Sequence, residues 1–492
     1  MSSIKLTIER PFLICGSILV LAAIAGGIYG VTGVVISAIA GSLVSFIIIK
    51  QKKIICLSVV LLMIYTVNFI ALDAKISKTE RFCDSDVNLL LMAIDSPENK
   101  GPYSQISVKP CDSGKFPDSQ KFTLYTYDTI PVQMGDVFTA RVKVLPLDET
   151  NYKLSSYSKG TYFKMKLIKF GEKRDEDKFY KLLRNIRVTL QDKLFSNISY
   201  DSAATVCAIT YGDKNFLDED FEDNVRNSGV SHVMVVSGMH LSIIMSAVFK
   251  VFGRIFYNRF ARALSSAVFV FMICGVCGFT VSVTRAAIMY FIAAAAPLFY
   301  RENDSVNSLC ATVSLILLMS PFAVYNISFQ LSVLATFAIV GPSAFYCEMI
   351  FSRCSKIKTH FSALIQLVFN TLFAMLFTMP ITIWKFGTLS FISPITNLAI
   401  SYPITFLLEL TLLSVLLSFI PLILIICTFM FKISDFVAGY INSAINFFGK
   451  MHYSAITVPA WVALPFLAVA FILTIATYYI EPYKQDKLLK EE

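Results

Sequence analysis

Apolar residues run through this chain in long blocks separated by short polar breaks, and the blocks recur on both sides of one long interruption. A block of about 18 residues or more is long enough, as a helix, to cross the hydrocarbon of a bilayer. The pattern predicts spans near residues 11–29, 31–49, 54–72, 230–250, 263–281, 283–300, 305–323, 327–347, 361–383, 396–418, 420–440 and 458–480. Between 73 and about 200 the period changes to short alternating runs, the mark of half-buried strands. Candidate strands are Val87–Ile94, Tyr103–Val108, Lys121–Tyr127, Val137–Leu145 and Tyr162–Phe170. In the fourth, Phe138, Ala140, Val142 and Val144 share one side, while Thr139, Arg141 and Lys143 share the other.

The expected fold is a polytopic α-helical membrane protein of about twelve spans with a small outward β-barrel, OB-like, inserted near its N-terminus. Its expected parts are N-terminal spans over 1–72, the outward domain over 73–177, an amphipathic helix with an acidic linker over 178–229, a channel body over 230–480 and a tail over 481–492. In the linker helix Phe179, Leu182, Leu183, Ile186 and Leu190 fall on one face, and basic residues cover the rest. Such a helix lies on an anionic membrane surface or packs against the outward domain.

Composition supports the membrane reading. The chain is 55% hydrophobic and 16% charged, against roughly a quarter charged in an ordinary soluble domain. Basic residues in short cytoplasmic loops set orientation. With both termini inside, the inner segments hold Lys50, Lys52, Lys53, Arg254, Arg259, Arg262, Arg353, Lys356, Lys358 and the tail lysines, and the short outer loops hold only Lys385, Lys432 and Lys450. The net charge of +9 then reports topology more than substrate. This places the protein in a membrane, crossing it many times.

Candidate chemistry lies where polar residues interrupt the pattern. In the outward domain, Tyr125, Tyr127 and Tyr162 with Lys164 and Lys166 form a candidate surface for single-stranded DNA, aromatic rings stacking bases beside a basic track. Nearly balanced acidic and basic residues in that domain fit a plain solvated sheet face as well. Cys83 and Cys111 are candidates for a disulfide, with two unpaired thiols as the alternative. The span near 230–250 holds Ser231, His232, Ser237 and His240, a costly set unless it faces a cavity or itself. Arg285 is a candidate phosphate contact, or it snorkels to the interface. Gln330 follows Asn326 by one turn, and Glu409 is the lone acid of its span. Four histidines without clustered spacing give no metal site, and no phosphate-binding G-x-x-x-x-G-K-[ST] loop is present. No catalytic set and no cofactor is expected.

Taken in order, the YGD turn at Tyr211–Asp213, G-x-S-H at Gly229–His232, S-G-x-H at Ser237–His240, S-x-T-R-A at Ser282–Ala286, S-F-Q-L-S at Ser328–Ser332 and F-I-S-P-I-T-N at Phe391–Asn397 resemble the ComEC family of competence proteins. The resemblance implies a channel in a bacterial plasma membrane that admits one strand of transforming DNA. It implies a DNA path touching Asp213, Ser237, His240, Arg285, Gln330 and Asn397, with a break in the helix around Pro394 and Asn397. It also implies an outer DNA receptor and a cytoplasmic motor as partners, with lipid around a pore built from one chain or from two. Many members carry a C-terminal metallo-beta-lactamase-like domain, and the resemblance is to the short form without it. Two other readings remain at this point. One is a small-solute transporter. The other is an intramembrane serine hydrolase with Ser237 as nucleophile.

Overall fold

The computed structural model describes residues 10–48, 52–99, 103–111, 116, 120–128, 130–147, 150–234, 238, 241, 244–245, 248, 252–254, 257–295, 304–353, 362–420, 423–451 and 454–491. Among them are seven helices long and apolar enough to cross a membrane, with three shorter apolar helices. The protein is therefore a polytopic helical membrane protein. Its chain divides into two compact units, one built from Phe12–Thr189 with Cys310–Phe329 and the other from the remaining described residues.

The first unit begins with α1, Pro11–Ile48, which breaks at Gly30, where φ is 64° and ψ is −147°. Only glycine adopts that conformation without strain. The two arms fold back on each other, with Gly41 against Ile18 and Gly26 against Val34, so the two apolar runs predicted on either side of residue 30 form a hairpin. α2, Lys52–Glu80, packs beside them. Tyr65 donates to the Pro321 carbonyl at 3.2 Å and Asn68 to that of Leu318 at 3.0 Å. α2 continues eight residues beyond Leu72, the expected end of its span, because a helix needs only unbroken backbone bonding, and Ile76 in this extension is buried.

Six strands follow: β1 (Asp86–Ala93), β2 (Glu98–Asn99), β3 (Ser104–Pro110), β4 (Lys121–Thr126), β5 (Asp136–Leu145) and β6 (Thr161–Glu176), with a short α3 (Thr150–Ser158) before the last. The order β1-β5-β6-β4-β3 closes on itself through a β1–β3 pairing, and β4–β6 is its one parallel pair. The sheet is thus a five-stranded closed barrel with β2 as an appendage. Phe138, Ala140, Val142 and Val144 point inward as their alternation predicts, beside Leu91, Ile106, Phe122, Leu124 and Met165. β6 runs six residues past its predicted end. Its charged tail stays paired with β5 through register shifts that let both strands curl.

The Cys83–Cys111 disulfide is corrected, since both thiols are free. Cys111 donates its backbone N–H to Leu90, seven residues along from Cys83. Cys83 lies in the turn before β1, so most of that strand, at about 3.3 Å per residue, separates the two, far beyond the roughly 4.4–6.8 Å between Cα atoms that a disulfide spans.

α4, Lys178–Phe195, packs against the barrel, and this settles the choice left open for its basic face. Leu183 is fully buried. Arg184 reaches Asp136 at 2.9 Å, Arg187 reaches Asp95 at 3.0 Å and Lys181 reaches Glu176 at 2.6 Å. Asp177 caps the helix by accepting the N–H groups of Phe179 and Tyr180. At Gly135, φ +90°, any side chain would meet Tyr180 and the Lys181 backbone. Cations spent on barrel carboxylates are not free for lipid phosphates.

In the second unit, α5 (Tyr200–Tyr211) and α6 (Glu219–Asn227) occupy the expected linker. α5 is buried along most of its length and belongs to the unit's main hydrophobic cluster. The helices that follow along the chain are α7 (Arg259–Val276), α8 (Val281–Ala295), α9 (Ser305–Met319), α10 (Ile327–Ala338), α11 (Ala344–Arg353), α12 (Ser362–Phe386), α13 (Ser393–Leu417), α14 (Leu424–Gly449) and α15 (Ala463–Glu491), of which α9 from Cys310 on and α10 up to Phe329 count with the first unit. α14 holds α5 and α6 through a polar ladder. Ser199 donates to Asp435 at 2.6 Å, Thr205 to Asn442 at 2.8 Å and Asn224 to Asn446 at 2.9 Å. Lys432, expected in an outer loop, lies two turns inside α14, because its apolar flanks let one cation ride within the helix.

The expected break near Pro394–Asn397 falls earlier. α12 ends at Gly387, φ +64°, and β7 (Thr388–Leu389) then pairs with β8 (Ile456–Thr457). Pro394 sits in the first turn of α13, where its missing N–H costs nothing. The two tryptophans, Trp384 and Trp461, flank this small sheet and are both exposed, as aromatic rings at a membrane interface are.

Candidate functional site: a buried arginine where the motifs meet

α8 starts after a tight turn in which Gly278 and Phe279 both take positive φ. One turn into the helix, Arg285 is 5% exposed. Its Nε donates to Ser332 Oγ at 3.0 Å, and Nη1 donates to Thr336 Oγ1 at 2.7 Å and to the Met289 sulfur at 3.5 Å. Ser332 and Thr336 are four apart on α10, so one helical face presents both hydroxyls. Nη2 faces Gly238 so closely that any side chain there would strike the guanidinium. Among the described residues no carboxylate lies within ion-pair distance of Arg285, and Nη2 makes no hydrogen bond. A fully charged group is thus held among neutral dipoles, with part of its donor fork unused.

Three of the expected motifs meet here, contributing Gly238, Arg285 and Ser332. Ser237 and His240 lie outside the described residues. A second junction joins two further motifs. Ser393 donates to the Gly229 carbonyl at 3.1 Å, and Ser390 donates to the carbonyls of Asn227 at 3.1 Å and Ser454 at 2.8 Å. His232 and Asn397, one from each of these two motifs, lie near each other at this junction.

Two expected path residues stand elsewhere. Asp213 follows the left-handed cap Gly212, accepts from Gln191 at 3.2 Å and closes a turn on the Asn215 N–H at 3.1 Å. Gln330 is half-buried on α10, two residues before Ser332 and so on a different helical face. Asn326 caps α10 by accepting the Phe329 N–H at 3.2 Å. Thr336 and Gly238 were missed as partners of Arg285, although the i, i+4 hydroxyl pair on α10 was visible in the sequence. α10 passes through a π turn at Ile339–Ser343 containing Pro342, a local widening frequent near functional sites.

On the barrel, Lys164 lies 5.9 Å from the Tyr125 ring and Lys166 lies 5.9 Å from the Tyr127 ring. Tyr103 packs 5.6 Å from Tyr125, and Tyr127 is 72% exposed. The β4–β6 register, with Tyr125 opposite Lys166, brings these side chains into one patch. Tyr162 does not join it. Its ring packs edge-on at 5.1 Å against Tyr157 of α3, and burial pushes its phenol up to about 12. Start-of-strand position and a neighbouring helix claim it for the fold.

A many-spanning membrane protein with a closed barrel and a motif-lined buried arginine is the class these observations define. Residues 209–483, more than half of the chain, match the family model described as Competence protein, and the chain belongs to that family. It is also similar to ComE operon protein 3 of Bacillus subtilis (strain 168), with 27% identity over 198 residues. That match covers 40% of this chain and 24% of the relative's length. No solved structure matches.

Proposed function

We propose that the protein is a channel that passes single-stranded DNA into the bacterial cytoplasm during transformation. The observation that carries this reading is Arg285, a buried cation with no carboxylate partner among the described residues, at the meeting point of the family motifs. A protein can bury a charge at moderate cost when dipoles surround it, and a guanidinium with unused donors is suited to a phosphate oxygen. Hydroxyls from Ser332 and Thr336 orient the fork without neutralising it, so a passing phosphate meets net positive charge. Sequence-independent contact of this sort suits a path that accepts any base.

In this reading the barrel is an OB-type domain on the outer face, and the Tyr125, Tyr127, Lys164 and Lys166 patch guides the strand toward the membrane. The short-loop lysines and arginines support both termini lying in the cytoplasm. Gly30 turns the first apolar block into two spans, which supports a count near twelve. An outer receptor delivers DNA, and a cytoplasmic motor supplies the pulling force.

The test is internalisation of labelled DNA in a transformable host that depends on this chain. Arg285→Met is expected to reduce uptake by about tenfold or more, the scale of one lost charge-assisted contact, with membrane level unchanged. Arg285→Lys is expected to fall between, since one ammonium cannot hold Ser332 and Thr336 together. Full uptake by Arg285→Met at normal protein level would overturn the reading.

A further inference from the structure

The turn between α13 and α14 differs in composition from every other connection expected on the inner side. Residues 418–423 hold no lysine or arginine, and neither does α13. Each of the other inner connections holds at least one, as at Lys50, Arg254, Arg301 and Arg353. Basic residues are what hold a short loop in the cytoplasm, and this turn has none.

Contacts within the second unit locate the same turn. α13 and α14 are antiparallel, with the Tyr440 hydroxyl donating to the Ala399 carbonyl at 3.4 Å. One continuous stretch, residues 190–229, touches this hairpin at its base, its middle and its tip. At the base, Ser393 donates to the Gly229 carbonyl at 3.1 Å and Asn224 donates to Asn446 at 2.9 Å. In the middle, Thr205 donates to Asn442 at 2.8 Å and Ser199 donates to Asp435 at 2.6 Å. At the tip, Lys193 Nζ lies 5.2 Å from the Phe419 ring.

That stretch is too short and too polar to cross a membrane. Its helices α5 and α6 have 12 and 9 residues, and the turn from α4 to α5 exposes Asp192, Ser196, Asn197, Ser199 and Asp201. Such side chains belong in water, not against lipid tails. Base, middle and tip of the hairpin therefore all meet a segment that stays on one side. Asp435, which caps the start of α5, lies about 16 Å along α14 from Leu424. Beyond that level the hairpin covers only about half of a 30 Å hydrocarbon layer.

The tip is built for the near leaflet. Leu416, Phe419, Ile420, Ile425, Ile426 and Phe429 are all exposed there, and acyl chains are the chemistry that fits them. The turn keeps its backbone bonded, since the N–H groups of Ser418, Ile420 and Ile423 donate to the carbonyls of Ser414, Leu417 and Ile420, so it can lie against lipid. Glu409 and Lys432 are exposed in mid-arm, a costly arrangement at the centre of a crossing helix. Near one interface their heads reach water and headgroups.

We propose that α13 and α14 form a re-entrant hairpin, which enters and leaves the membrane from the side on which residues 190–229 lie and holds its apolar tip in the acyl chains of the near leaflet. The tip never reaches the opposite aqueous side. Two apparent crossings are thereby removed, and both ends of the chain keep their sides. The hairpin serves as a brace for α5 and α6, between which the Tyr211–Asp213 turn lies. This placement is independent of what the protein transports.

Sided cysteine labelling of the full-length protein tests it. A membrane-impermeant maleimide is applied to intact cells and to inside-out vesicles, and each cysteine is read separately by peptide mass spectrometry. Ile420→Cys reports the tip, Ser196→Cys reports the segment beside the hairpin, and native Cys354, next to Arg353, reports a basic inner connection. Ser196→Cys and Cys354 are expected to label from opposite sides. From the side that labels Cys354, Ile420→Cys is expected to stay at background, while a membrane-permeant maleimide labels it in both preparations. Ile425→Cys, at a position 87% exposed, is expected to repeat that pattern, which guards against a local fault in one variant. Labelling of the tip from the Cys354 side to the extent of Cys354 itself overturns the proposal. So does labelling of Ser196→Cys from the Cys354 side.

Discussion

The barrel and the membrane body treat buried charge in opposite ways. In the barrel, Asp136 is 1% exposed and receives Lys173 at 2.9 Å, Arg184 at 2.9 Å and the Gln133 N–H at 2.9 Å. In the body, Arg285 is nearly as buried and donates to two hydroxyls and a thioether. The first arrangement closes a structural joint between β5, β6 and α4. The second leaves a positive field in place. A charge surrounded by counter-charges is committed to the fold, whereas one surrounded by neutral dipoles retains attraction for something that arrives later.

The largest effect should appear where the joint is cut. Asp136→Ala leaves Lys173 and Arg184 facing a void, and breaking a buried pair by removing one partner costs about 3 kcal/mol or more. Hydrogen exchange on the full-length protein is expected to show faster opening of α4 and of the β5–β6 ladder, with helices of the body unchanged. Arg285→Met should do the reverse, removing an unpaired buried charge with little loss of stability while uptake collapses. If Asp136→Ala leaves exchange unaltered, or if Arg285→Met unfolds the body, the contrast between the two regions fails.

A smaller effect sharpens the body side. Gly238→Ala places a methyl against the Arg285 guanidinium and the Ala286 side chain, and overpacking of this kind costs about 1–3 kcal/mol. The guanidinium can yield only by releasing Ser332 or Thr336. Uptake is therefore expected to fall in Gly238→Ala and to recover partly when Arg285→Lys, with its slimmer head, is added. Additive losses in the double variant would show that Gly238 serves something other than the arginine.

Much of this was legible in the sequence, and the exceptions share a physical cause. Alternation over residues 137–145 gave the inward face of β5 because a strand repeats every two residues regardless of its surroundings. Arg285 was recognisable as a charge in an apolar block. Its partners were not, because Thr336 and Gly238 become neighbours of Arg285 only when three helices pack. The basic face of α4 was visible, but which surface it meets depends on Asp95, Asp136 and Glu176, carried by loops and strands up to about ninety residues away. The Cys83–Cys111 pairing failed for the same reason, since strand register and not spacing sets their separation. Lys432 was assigned to a loop because one cation disturbs a hydropathy window, although a helix tolerates it.

The mildest perturbation separates the two regions by pH alone. Glu176 is partly exposed to solvent yet held well below the usual carboxylate range, at about 2, by hydrogen bonds from Lys181, Lys173 and Arg184. A carboxylate whose folded pKa is depressed contributes stability that is present above its unfolded value and lost as pH falls through the folded one. Docking of α4 on β6 is therefore expected to weaken progressively between about pH 4.5 and pH 2, read as rising protease sensitivity in the Asp175–Lys181 segment. Glu176→Gln should show the raised sensitivity already at pH 7 and little further change on acidification in that window. Among the described residues the Arg285 junction has no carboxylate to protonate, so exchange at α8 and α10 should stay flat over the same range. Loosening of α8 in step with α4 would mean that a titrating acid supports the arginine after all.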